Sequence, residues 1–99
     1  TAGGQLRVRR YSAHTPAELE RLSERERFVL SAVHRHGPLT AEDAARACRL
    51  PHQVVQAHFA RGVAMGLYRA PHEGSGAYAV SLDWWEAALR YLRRKNLLT

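Results

Sequence analysis

Six histidines, two glutamines three positions apart and fourteen arginines against one lysine carry whatever chemistry this 99-residue chain has. The histidines do not form a metal set. His34 and His36 are two positions apart, so on a helix their rings diverge, and His52 and His58 are six apart. No Cys-x-x-Cys or His-Glu-x-x-His pattern accompanies them. Nothing arranges a nucleophile, a base and an orienting group, and no glycine-rich loop is built to cradle a phosphate. The expectation is a protein that is not an enzyme, with no metal, no cofactor and no small-molecule ligand. The one cysteine, Cys48, excludes an internal disulfide and reads as a small buried hydrophobe. What remains is recognition chemistry. A glutamine amide sets a donor beside an acceptor and can pair with an adenine edge, so Gln53 and Gln56 are candidate base readers. Arginine forks suit phosphate oxygens.

The formal net charge is +6 and the pI about 10.4, which suggests an anionic partner. Its distribution is uneven. Residues 1–14 carry +3 from Arg7, Arg9 and Arg10, residues 15–50 balance to zero, residues 51–82 carry +1, and residues 83–99 carry +2. The excess therefore lies at the two ends. Arginine-heavy composition also follows from a GC-rich genome. With 45% hydrophobic and 24% charged residues, the chain is expected to fold as one small domain. No apolar run approaches the roughly 20 residues that span a bilayer, and no signal-peptide pattern opens the chain. A cytoplasmic or nucleoid-associated location follows as an expectation (nuclear in a eukaryote). The start at Thr1 agrees with a piece of a longer protein.

The elements that position these residues are legible in their caps. Residues 1–14 read as a flexible basic arm, with residues 15–99 as the folded domain. Thr15-Pro16-Ala17-Glu18 predicts a short helix to about Leu22, and Ser23-Glu24-Arg25-Glu26 a longer one to about His36, with Phe28, Val29, Ala32 and Val33 inward. Gly37-Pro38 ends it. Thr40 caps the next helix, Arg49-Leu50-Pro51 makes the turn, and a helix from His52 to Met65 buries Val55, Phe59 and Val63 before Gly66 stops it. Two strands follow, 68–70 and 77–82, with Tyr78, Val80 and Leu82 sharing one face. Asp83-Trp84-Trp85-Glu86 then opens a last helix over 83–96. Trp85, Leu89 and Leu92 mark one of its apolar faces, and Trp84, Ala88 and Tyr91 a neighbouring one.

In this order the chain resembles the winged helix-turn-helix regulators, most closely the MarR-type branch. Leu39-Thr40, Ala45, Cys48, Leu50, Val55, Phe59 and Gly66-Leu67 fall on that family's core positions without a gap. The resemblance implies a mainly α fold with a small β-hairpin wing, a helix-turn-helix at 40–66, a wing at 68–82 and an extra C-terminal helix. There are three departures. Arg49 stands where the turn usually has glycine, Pro51 replaces the serine cap, and Gly62 replaces a helix-interior leucine at a cost of ~1 kcal/mol against alanine. Gly62 suits a close approach by another element, with the tryptophan-rich last helix as candidate. The long flanking helices that build the family's dimers are hard to find.

The resemblance also implies double-stranded DNA as partner, with the 52–65 helix in the major groove. The chain would then come from a transcription regulator or be the terminal module of a larger DNA-processing protein. If Val55, Phe59 and Val63 point inward, His52, Gln53, Gln56, Ala57 and Ala60 lie outward. Arg49 and Arg61, with Arg46 beside them, are in reach of phosphates, and Arg69 sits at the base of the wing. The wing tip, Pro71 to Gly76, holds Glu73 and no fixed positive charge. Arg7, Arg9 and Arg10 at one end, and Arg90 and Arg94 at the other, are further candidates for phosphate or partner contact. The alternative is a protein-interaction winged helix, docking a homodimer mate or a parent-protein partner through the wing or the last helix. Its anchors would be Trp84 and Tyr91.

Overall fold

Ser23 starts the first long helix. Its hydroxyl accepts from the Glu26 amide, and the Glu26 carboxylate accepts from the Ser23 amide at 3.0 Å. In the computed structural model, which describes residues 14–71 and 74–97, this helix (α1) runs Glu24–His36 and ends at Gly37. Before it, the expected helix after Thr15 is only a 3-10 turn, Pro16–Leu19, whose Leu19 is fully buried. After it come β1 (Leu39–Thr40), α2 (Ala41–Cys48), α3 (His52–Met65), β2 (Tyr68–Arg69), β3 (Ala77–Val80) and α4 (Leu82–Arg94). The strands form one antiparallel sheet in the order β1-β3-β2, with Leu39 opposite Tyr78 and Tyr68 opposite Val80. Four α-helices and this small sheet make a mainly helical domain, consistent with a winged-helix-like fold. None of the described helices is long and apolar enough to cross a membrane.

The α2–α3 unit follows its caps. The Thr40 hydroxyl accepts from the Asp43 amide at 3.0 Å, fixing the start of α2. Arg49 ends that helix in the left-handed region, at φ 56° and ψ 46°, a conformation glycine adopts at less cost. The Leu50 amide then reaches back to the Ala45 carbonyl, and Leu50 packs at the edge of the core. Pro51 begins α3 with φ −60° and no side-chain cap. Gly66, at φ 86°, closes it.

One core joins the elements. Val29, Leu30 and Val33 of α1 meet Val55 and Phe59 of α3, Leu67 and Tyr68, and Trp84, Ala88, Tyr91 and Leu92 of α4. Four expectations need correction. Phe28 points out, 44% exposed, because Val29, Leu30 and Val33 already fill the core side of α1. The strands end at Arg69 and Val80. Leu82 therefore does not share a sheet face with Val80. It opens α4 and is 68% exposed.

The start of α4 is also different. The cap is Ser81, not Asp83. The Ser81 hydroxyl donates to the carbonyls of Gly66 and Leu67 at 2.5 and 3.2 Å, so it ties the end of α3 to the start of α4. That phase puts Trp84, Ala88 and Tyr91 inside and turns Trp85 out. Finally, the element that approaches Gly62 is β2, not α4. A Cβ built on Gly62 would collide with Cδ2 and Cε2 of the Tyr68 ring.

Candidate functional site

Helix α3 is two-faced. Val55, His58, Phe59 and Gly62 are buried, at the spacing of one inner stripe. Phe59 stacks on Tyr78 at 4.2 Å between ring centroids and meets Tyr68 edge-on at 5.1 Å, so both strands brace the helix. The opposite side holds His52, Gln53, Gln56, Ala57 and Ala60, all exposed. No acidic residue lies in the first turn of α3, whereas α1, α2 and α4 have Glu24 and Glu26, Glu42 and Asp43, and Asp83 there. The positive end of the α3 dipole is thus left without a carboxylate of its own.

Beneath that face lies a polar chain that the sequence reading missed. His58 is 1% exposed. Its Nδ1 lies 3.0 Å from Oε2 of Glu26 and its Nε2 lies 2.6 Å from the Tyr68 hydroxyl. Burial pushes the imidazole below its ordinary pKa, against the pull of Glu26, and burial likewise raises Tyr68. A neutral ring fits both neighbours: Nδ1–H donates to Glu26, and Nε2 accepts from Tyr68. Glu26 also accepts from Nη2 of Arg61 at 2.6 Å. Burial works against its charge. Hydrogen bonds from Arg61, from the Ser23 amide and from His58 outweigh that and hold its pKa at about 2. Four side chains from α1, α3 and β2 are therefore locked together. The signal was available in the inner stripe, since His58 falls three positions after Val55 and beside Phe59.

The other expected residues are scattered. Arg49 and Arg69 are exposed. Arg61 is exposed but occupied by Glu26, and Arg46 leans on Asp43 at 3.6 Å and Glu42 at 4.0 Å. Arg90 pairs with Glu86 at 2.8 Å, and Arg94 is solvent-exposed. Arg7, Arg9, Arg10, His72 and Glu73 lie outside the described residues. Trp84 and Tyr91 are not surface anchors. They are 2% and 0% exposed, with Trp84 stacked on His14 and the Tyr91 hydroxyl accepting from Nε of Arg27 at 2.8 Å. The exposed tryptophan is Trp85, at 42%, stacked on His34. Cys48 is half-buried, and burial raises its thiol pKa. Among the described residues no group of three or more His, Cys, Asp or Glu side chains is placed to hold a metal ion.

No family model matches the sequence, and no curated protein matches it. Among solved structures, the crystal structure of RV1404 from Mycobacterium tuberculosis is similar, with a TM-score of 0.61 and 19% identity. The match covers 96% of this chain and 69% of that one. At that identity the likeness is one of fold alone.

Proposed function

We propose that this chain is a DNA-binding winged-helix domain that sets α3 into the major groove of a duplex. The observation that carries the reading is the outer face of α3: exposed, free of acid and free of large apolar side chains, on a helix braced by the sheet. Gln53 and Gln56 supply base-edge hydrogen bonds, and Arg49, Arg69 and His52 contact phosphate. Arg61 is held at the rim by Glu26 through Nη2, and its remaining donors turn to phosphate in this reading. In this reading the β2–β3 hairpin is the wing and α4 a buttress behind it.

Fluorescence anisotropy with labelled duplex across a salt series tests this. Wild type should bind at low salt and lose affinity steeply as salt rises. Gln53→Ala/Gln56→Ala should weaken specific binding by about tenfold or more. Absence of binding at low salt would sink the proposal.

A second reading, docking to a protein partner, keeps some support from Phe28 and Trp85, which are 44% and 42% exposed. It predicts concentration-dependent association or partner capture that Trp85→Ala abolishes. The DNA reading predicts that Trp85→Ala leaves duplex affinity unchanged.

A further inference from the structure

We infer that α3 selects A·T pairs by their major-groove edges, an inference that rests on the DNA-binding reading above. Behind His52, which opens the helix and faces phosphate in the reading above, Gln53, Gln56, Ala57 and Ala60 form the exposed strip. Two glutamine amides match the N7 acceptor and N6 donor of adenine, and two alanine methyls match the C5-methyl of thymine. Both base types of an A·T pair thus have a complement in the same strip. The residues most suited to guanine, arginine and lysine, are missing from it. Arg61 follows the strip, but Glu26 holds its Nη2 at 2.6 Å and keeps it at the rim. Arg49 precedes Pro51 and lies outside the helix.

The small size of Ala57 and Ala60 lets the helix lie close to the base edges. At 1.5 Å rise per residue, Gln53 to Ala60 covers about 10 Å, or about three base-pair steps. The selective element is therefore a block of about three A·T pairs.

The basic arm offers a rival route to A·T preference, through the minor groove, and the test separates the two. Three pools of labelled duplex share identical flanks. The central block is randomised in A and T only, in inosine and C only, or in G and C only. Inosine·cytosine pairs present an A·T-like minor groove and a G·C-like major groove. The A·T pool should bind about tenfold tighter than both others. Replacing its thymines with uracil should weaken it, and Gln53→Ala/Gln56→Ala should erase the preference. Equal binding of the A·T and inosine pools would overturn the inference in favour of minor-groove reading. Equal binding of all three would overturn it and leave the DNA-binding proposal standing. No binding of any pool at low salt would remove both.

Discussion

Gly62 and Tyr68 share one space, and neither can yield. The Tyr68 ring is buried, and its hydroxyl is fixed on His58 at 2.6 Å. Gly62→Ala gains up to ~1 kcal/mol of helix propensity but drives a methyl into that ring, an overpacking that costs about 1–3 kcal/mol. The expected outcome is a net loss of stability, read from urea midpoints. A gain would show that the ring can shift. Acid sensitivity belongs to the same cluster. The folded pKa of His58 lies below its ordinary 6.5, so the unfolded chain binds the proton more readily. Its contribution is complete above about pH 6.5 and is lost as pH falls below that value. Glu26 runs in the same direction at lower pH, its contribution disappearing between 4.5 and about 2. Burial pushes His34 down as well. Stability should therefore fall from pH 7 to pH 5, and His58→Gln should reduce that dependence without abolishing it. A wild-type midpoint that does not change over this range would contradict the assignment of a neutral buried ring. His58 was not picked out from the sequence because a histidine in an alanine-rich helix has no marked partner. Glu26 is 32 residues away and already explained as a cap.

At the scale of elements, helices with self-contained caps were legible. Ser23 with Glu26, Thr40 with Asp43, and Gly66 act within a few residues, so α1, α2 and α3 begin and end where the sequence predicts. Elements defined by distant partners were not. β1 is two residues long, too short to show alternation, and exists because Leu39 and Thr40 pair with Tyr78 and Ala77. The phase of α4 depends on Ser81 reaching the carbonyls of Gly66 and Leu67, which sequence spacing does not reveal. For the candidate site, the outer residues of α3 were readable from helical period alone, whereas the tie between Arg61 and Glu26 needed the fold. The turn between α2 and α3 gives a prediction with two readouts. Arg49 sits at φ 56°, so Arg49→Gly should raise stability by up to about 1 kcal/mol. On the DNA-binding proposal the same change should lower duplex affinity, because it removes a guanidinium assigned there to phosphate. A fall in both stability and affinity would point to a packing role for the arginine instead.

For the molecule as a whole, the positive charge and the helix face fall on different parts of the sequence. Of the net +6, +3 lies on residues 1–14 and +2 on residues 83–99, while the exposed strip of α3 is polar and carries no fixed charge apart from the flanking arginines. Affinity and base preference should therefore separate. Arg7→Ala/Arg9→Ala/Arg10→Ala should flatten the slope of log affinity against log salt by up to about 2.7 units, about 0.9 for each phosphate no longer neutralised, and leave the base preference intact. An unchanged slope would show that these three arginines do not touch phosphate. The central claim, that α3 is the surface presented to DNA, is tested most directly by amide chemical-shift mapping on a short duplex. The largest shifts should fall on residues 52–60 and the turn before them, with α4 little affected. Shifts concentrated on residues 82–94, or none at low salt, would contradict it.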